Sequence, residues 1–517
     1  MGADTGREDS NCQSTNLNRK GAADHADRQR GHPVVFDARV HALPSISKSN
    51  TDGADHAALI TLQLRRTGGH FVNILLGPDT ADSSSLDAAR ALTVESLVRV
   101  TGCFHPDADN ANQANERRDG VSAPALPSKT TFRASKLVTL SIAKPGLENN
   151  PIHQLDLHRA QRTTAAPSST ASIDVRLDNR LLDARVSATA AIFKLFSGVH
   201  EQAVAILAEK RFIHIPTPAL IGYEFPGEEE DLFSVPYFDI AARLAPTGEV
   251  HLGMALAADL ERVYDFHTVF RREPLSDGRH LTEFTMLELV FNLKDDWTEI
   301  LDLASDIVTS LIQSLQQEDK YNSLTQTAKR LFPLAGTFKL GLDKNGKLFQ
   351  CTFSEAKEIL QGPLNFTSSS DQADFTRDEE AALGRYFASS SSYFGIPTDV
   401  FIITHFPRRL RACNIHPSVS LPGTSESFDV ILRGQEIATG CRLLHAHDHL
   451  RAAFAARDPP IDPDSPGWRP YTTAHEIGMP PWGGFGMGVN RLVQGFLGLE
   501  DVRETVLFPR DAARLRP

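Results

Sequence analysis

Arginine, glutamate and an aromatic ring recur at close spacing in Phe270-Arg271-Arg272-Glu273 and again in Gly278-Arg279-His280-Leu281-Thr282-Glu283-Phe284. Two apolar strands joined by a short polar turn would present a guanidinium, a carboxylate and a ring on one side. That set suits a nucleotide, with guanidinium on phosphate and ring on base. A solvated charged hairpin has the same pattern. Further along, Gly483-Gly484-Phe485-Gly486-Met487-Gly488-Val489-Asn490-Arg491-Leu492-Val493 places glycines at the opening of an apolar helix, with an arginine in its first turn. Glycine lets a backbone approach a ligand closely, so this run is a second candidate for phosphate contact.

These residues need a frame. From Val34 to Lys144 the chain alternates apolar and polar residues in short runs such as Ala58–Leu62, His70–Leu76, Leu97–Val100 and Leu137–Leu140, which suggests a small barrel or sandwich. Residues 105–129, rich in Asn, Asp, Ala and Pro, read as an exposed insertion between two strands, and residues 161–175 have linker composition. Beyond them the period becomes helical: one helix is expected from about Ser187 to Lys210 and a second between Asp295 and Leu315. Strands are expected at Phe212–Ile215, Glu283–Phe291, Val400–Thr404 and Ser427–Leu432. The second domain is therefore expected to be α+β, with one large mixed or antiparallel sheet.

Composition bounds the function. The 517 residues carry 53 Lys and Arg against 65 Asp and Glu, a net charge of −12, which argues against holding nucleic acid by an overall field. The balance is uneven, +1 over residues 1–180 and −13 over the rest. No run approaches the roughly 20 uninterrupted apolar residues of a membrane span, so no membrane role is expected. Five cysteines, at 12, 103, 351, 413 and 441, form no CxxC pair, and a reducing compartment is the default expectation. Residues 1–31 mix arginines with acids and lack an apolar core, the pattern of a disordered polar tail.

Taken together, the order and spacing of the two motifs resemble those of the class II aminoacyl-tRNA synthetases, and in particular the aspartate–tRNA ligases of eukaryotic and archaeal type. The resemblance runs from about Val34 to the C-terminus: Arg176–Arg185 looks like the entry to the family's catalytic domain, Pro218 like the motif 1 proline, and Gly498–Asp511 like the family's tail. It implies an OB-fold anticodon-binding barrel over residues 32–160 and a catalytic domain over 176–517, an antiparallel sheet flanked by helices. It also implies a homodimer joined around Pro218, a cytoplasmic location, and ATP, Mg²⁺, an amino acid and tRNA as ligands. Carried over residue by residue, Arg271 binds the α-phosphate and Arg491 the γ-phosphate. Glu273, Arg279, His280, Leu281, Phe284, Glu436 and Gly488 complete the ATP site. Asp429 and Glu436, seven residues apart, match the Mg²⁺ carboxylates.

The amino-acid half departs from the family. Its Ser-Glu-Gly-Gly loop is here Pro226-Gly227-Glu228-Glu229-Glu230, leaving Glu228 for the substrate ammonium. Its Gln-Ser-Pro-Gln and following lysine become Pro246-Thr247-Gly248-Glu249-Val250-His251-Leu252, with Glu249 in the pocket and Leu252 at the lysine position. Along the strand after Phe284 an aspartate becomes Glu288 and a second acid becomes Val290. In Thr439–His445, Leu443 takes the place of the arginine that clamps the side-chain carboxylate, while Arg442 faces the other side of the strand. In the barrel, Leu59 and Asn73 lie near positions where the family uses a phenylalanine and a glutamine against anticodon bases, and Phe71 is the ring at hand. Three readings follow: an aspartate–tRNA ligase, a paralogue that gives its adenylate to a non-translational acceptor, and a silent tRNA-binding dimer.

Overall fold

The alternating N-terminal runs fold into six strands: β1 (Val34–Val40), β2 (Ser45–Lys48), β3 (Ala58–Arg66), β4 (Phe71–Leu76), β5 (Leu97–Pro106) and β6 (Thr130–Ser141). In this computed structural model the described residues are 33–48, 58–67, 70–106, 130–153, 171–222, 232–366, 370, 373–389 and 393–516. The expected tail, the insertion beyond 106, the linker from 161 to 170 and Glu228 lie outside them. The chain divides into two compact units, 1–171 and 172–517.

In the first unit β1 pairs with both β5 and β3, which closes a ring in the order β1-β5-β6-β4-β3-β1, with β2 continuing off β3. Only β4 and β6 run parallel, and the helix Ser83–Arg90 fills the crossover between β4 and β5. This is the OB-fold arrangement. Period-2 alternation turns Ile60, Leu62, Leu64, Ile74, Leu76, Val98, Val100 and Phe132 inward, all with no exposed surface. The helix Ser83–Arg90 and strand β1 were not among the expected elements, because the serine-rich Ser83-Ser84-Ser85 reads as loop until Asp82 is seen capping the Ser85 amide at 2.7 Å.

The second unit is built on an eight-stranded sheet in the order β13-β14-β15-β16-β17-β12-β11-β7. Its strands are β7 (Ile213–His214), β11 (Arg262–Phe270), β12 (Glu283–Asn292), β13 (Gln350–Thr352), β14 (Val400–Thr404), β15 (Ser427–Leu432), β16 (Gln435–Leu443) and β17 (Trp482–Gly488). All neighbours are antiparallel except the outermost pairs, β7 with β11 and β13 with β14. A small sheet, β8 (Leu220–Ile221), β10 (Ile240–Leu244) and β9 (Ser234–Tyr237), follows Pro218. The helices Ser187–Glu209 and Thr298–Gln317 lie close to their expected spans and pack on one sheet face through Ile192, Leu195, Val199, Ile300, Ile307 and Leu311. The first of these is by length and composition apolar enough to cross a membrane. It is interrupted by Lys194 and Glu201, and its buried side chains belong to the sheet's core.

Two segments that the resemblance singled out meet in a buried ion network. Arg176 donates from Nε to Asp183 at 3.0 Å and from Nη1 to Glu504 at 2.9 Å, and Arg180 reaches Asp183 at 2.6 Å and the carbonyl of Val506 at 2.7 Å. Each charge is matched by a partner, which is the condition for keeping such groups out of water.

One expectation is corrected. The glycine run was read as the opening of a helix, but Trp482–Gly488 is a central strand and the helix starts at Val489. The reason is space: a Cβ at Gly484 would overlap the carbonyl oxygen of Leu289 on β12, and one at Gly483 would meet Ile300 and the Cys441 carbonyl. Gly484→Ala is therefore expected to cost about 1–3 kcal/mol or more as overpacking and to lower the melting temperature by several degrees. Gly222→Ala, where no atom of a described residue lies within 4 Å of the added methyl, should leave it unchanged. Equal melting temperatures for the two variants would remove the close-approach explanation.

Candidate active site

Strand register assembles the site. β11 pairs with β12 from Arg262↔Phe291 to Phe270↔Glu283, and the ladder continues with the Arg271 amide on the Thr282 carbonyl at 3.1 Å. β12 and β17 set Glu288 opposite Gly486, β17 and β16 set Gly486 opposite Thr439, and β16 and β15 set Thr439 opposite Asp429. Glu288, Gly486, Thr439 and Asp429 thus form one row across four strands. Because the row has a glycine at its centre, a hollow of about 310 Å³ opens above it.

This cavity gathers all nine of the expected ATP residues. Arg271, Glu273, Arg279, His280, Leu281 and Phe284 reach it from the β11–β12 connection. Glu436 reaches it from β16, Gly488 from the end of β17 and Arg491 from the helix Val489–Leu497. The connection is fixed from behind: the Gly278 carbonyl accepts from the Val502 amide at 2.7 Å, and Asp277 accepts from His280 at 2.9 Å. Asn490 ties its helix to β12 through the Thr285 amide at 2.9 Å. Arg279 donates to Glu380 at 2.7 Å, and Arg491 to the Glu436 carbonyl at 3.1 Å. Burial holds Arg491 below the usual arginine range, and the charges of Arg279 and Arg271 push the same way, against Glu436 and Glu380. Three guanidiniums that repel one another in a buried hollow are a receptor for a polyanion such as a triphosphate.

Further along β12 the lining changes to Thr247, Glu249, Met286, Glu288, Arg411 and Thr439. Glu288 accepts from the Thr247 hydroxyl at 2.5 Å, from the Gly248 amide at 2.5 Å and from His267 Nε2 at 2.7 Å. His267 Nδ1 lies 2.9 Å from the Thr217 hydroxyl, and Thr217 donates from its amide and its hydroxyl to Asp265, each at 2.7 Å. A continuous polar chain therefore runs from Asp265 to the cavity. Burial alone would lower the His267 pKa, but the hydrogen bond to Glu288 and the charges of Glu288 and Asp265 raise it overall.

Several expected residues stand elsewhere. Leu252 and Leu443 do not line the cavity: they are 0% and 1% exposed in an apolar cluster with Trp468, Tyr471 and Trp482. Arg442 turns away to Glu426 at 3.2 Å. Asp429 is buried beneath the cavity floor, where one oxygen accepts from Thr439 and the other from Arg411 at 2.7 Å. Burial raises its pKa to about 7, with Arg411 opposing and the Glu436 carboxylate adding to the rise. Arg411, His267, Glu380 and Thr247 also belong to the site and were not among its expected residues. Arg411 follows Arg408 and Arg409 in what reads as a basic surface turn, and only its seat over the Phe406 ring, 3.7 Å from the centroid, separates it from them.

With this geometry in hand, comparison with known proteins is direct. Residues 172–512 match the family of class II tRNA synthetases (D, K and N). The chain is 31% identical over 491 residues to the cytoplasmic aspartate–tRNA ligase of Bos taurus, covering 95% of this chain and 89% of that protein. It is 30% identical over 352 residues to the aspartate–tRNA(Asp) ligase of Pyrococcus horikoshii, covering 67% and 74%. Among solved structures, the aspartyl-tRNA synthetase of Entamoeba histolytica superposes with a TM-score of 0.72 at 23% identity, covering 94% of this chain and 90% of that one. The asparaginyl-tRNA synthetase of P. horikoshii complexed with asparaginyl-adenylate superposes with a TM-score of 0.73 at 23% identity, covering 94% and 96%. At that identity the two structures speak to the fold.

The His267–Glu288 pair makes stability depend on pH. A histidine whose folded pKa is raised contributes stability that is fully present below its unfolded pKa and is lost as pH rises through the folded value. The stability difference between the wild type and His267→Gln, from urea unfolding, should therefore be largest below about pH 6.5 and shrink above it. A difference independent of pH between 5 and 9 would refute a charged His267.

Proposed function

The chain belongs to the class II tRNA synthetases of the D, K and N group, and from that premise we propose that its cavity activates aspartate with ATP and passes the aspartyl group to tRNA. The observation that carries this reading is that one hollow is lined both by Arg271, Arg279 and Arg491 and by Glu249, Thr439 and Arg411. Activation joins a carboxylate to the α-phosphorus of ATP and expels pyrophosphate. Both reactants are anions, so the protein's first task is to neutralise and align them. Arg271, beside the Phe284 ring at 5.7 Å, would take the α-phosphate, with the adenine on the ring. Arg491 and Arg279 take the rest of the triphosphate, and Glu249, which lines the cavity, takes the substrate ammonium in place of Glu228, which lies outside the described residues. No protein nucleophile is needed. The adenylate's carbonyl is then attacked by a hydroxyl of the tRNA terminus, and AMP leaves.

Mg²⁺ fits the residues present at Glu436, which faces the cavity and would hold the ion, whereas both oxygens of Asp429 are already taken by Thr439 and Arg411. The described residues hold no group of three or more His, Cys, Asp or Glu side chains arranged for a metal, so phosphate oxygens and water would complete the shell. The ion's contribution is to neutralise the triphosphate and the departing pyrophosphate.

The proposal extends to a homodimer through the region around Pro218 and to a cytoplasmic location, as in the relatives named cytoplasmic. Beside Pro218, Leu220, Tyr237, Phe238 and Ile240 are 45%, 43%, 91% and 64% exposed, an apolar face that a second copy would cover.

Two outcomes are expected. The wild type should exchange pyrophosphate into ATP in the presence of aspartate and charge tRNA, and Arg271→Ala should lower the exchange rate about 10²- to 10³-fold. Exchange without transfer to tRNA would instead favour a different acceptor. Light scattering should give twice the chain mass of 56.7 kDa, falling to one chain for the double variant Phe238→Asp and Ile240→Asp. A monomeric wild type would end the dimer proposal.

A further inference from the structure

The substrate's side-chain carboxylate needs a cation, and the two positions where the family carries one hold Leu252 and Leu443, both sealed in the apolar cluster. Arg442 is committed to Glu426, and His267 to Glu288. Of the cations that line the cavity, Arg271, Arg279 and Arg491 crowd one another at the triphosphate end. Arg411 stands apart from them. The charges it feels are those of Asp429, Glu436 and Asp374.

Arg411 is also held in a pose that leaves donors over. The ring of Phe406, itself 1% exposed, fixes the plane of the guanidinium at 3.7 Å. One edge is anchored by the bond from Nη2 to Asp429 at 2.7 Å. Nε is buried without a hydrogen-bond partner, and Nη1 makes no bond to any described residue. The hydroxyl of Thr439, bonded to the same Asp429, lies alongside. A buried guanidinium with unused N–H groups beside an open cavity is an incomplete site, and what completes it is an acceptor with two oxygens.

We infer that Arg411 is the specificity-determining residue of the amino-acid end, receiving the substrate's side-chain carboxylate in place of the cations absent at Leu252 and Leu443. This rests on the reading that the cavity adenylates aspartate. Guanidinium offers donors only. A carboxylate can accept two of them, whereas the amide of asparagine has one acceptor oxygen and would turn its NH₂ group toward the second donor, so Arg411 selects the acid over its amide. Asp429 acts beneath it as the group that orients it.

The test is steady-state pyrophosphate exchange by the full chain, with aspartate, asparagine and ATP each varied. Arg411→Gln should raise the KM for aspartate about 10- to 100-fold, leave the KM for ATP within about twofold of wild type, and lower the preference for aspartate over asparagine; Arg411→Lys should restore part of it. An unchanged aspartate KM, or an ATP KM rising in parallel, would overturn the assignment and leave Arg411 as an anchor for Asp429 alone. Should Arg411→Gln not fold, as judged by its melting curve, Arg411→Lys carries the same split between the two KM values. A wild type that exchanges only with an uncharged amino acid sinks the role of Arg411 while adenylation stands. A wild type inactive with every amino acid sinks adenylation. In that case, a melting temperature raised by aspartate in the wild type but not in Arg411→Gln upholds the carboxylate site, and no rise in either overturns it too.

Discussion

Everything in the catalytic unit depends on how closely three strands approach at β17. Glycine occupies four of the seven positions of Trp482–Gly488, and at Gly483, Gly484 and Gly486 an added Cβ would collide with neighbouring residues. The backbone of β12 therefore comes near on one side and that of β16 on the other, and Glu288, Thr439 and Asp429 fall into one row. The missing side chain at Gly486 leaves room for the hollow, and the charged groups around it only have to point inward. The same close approach leaves little tolerance, since interiors are packed at crystal-like density and absorb extra volume poorly.

The second constraint is electrostatic. Four arginines and several carboxylates share one partly dry cavity, which is stable only if most charges are already paired. Arg279 with Glu380, Arg411 with Asp429 and His267 with Glu288 meet that condition. Arg491 among its like-charged neighbours and Arg411 with spare donors remain incompletely satisfied, and both are assigned to ligands. Binding energy is then available at the place where reacting charge develops, with no reorganisation needed at that moment.

Much of this was legible in the chain. The strands Val400–Thr404 and Ser427–Leu432 and the helix beginning at Ser187 are read from apolar period alone. The nine ATP residues converge on one hollow because motif spacing encodes the β11–β12 connection and the first turn of the helix after β17. The rest was hidden for identifiable reasons. Glycine-rich β17 carries no β-propensity, because its strand conformation is imposed by neighbours rather than by its own side chains. Leu252 and Leu443 look like pocket residues by position, yet the cavity wall closes in front of them. Arg411 is indistinguishable in sequence from the exposed Arg408 and Arg409. Only tertiary packing against Phe406 reveals it, and His267 gains its meaning only from a cross-strand neighbour.

The most direct measurement is a co-crystal structure of the full chain with a non-hydrolysable aspartyl-adenylate analogue. The adenine should lie against Phe284, the phosphate mimic at Arg271, and the side-chain carboxylate should be bonded to Arg411. An analogue bound outside this cavity, or bound in it with its side-chain carboxylate held by some other group, would contradict this arrangement.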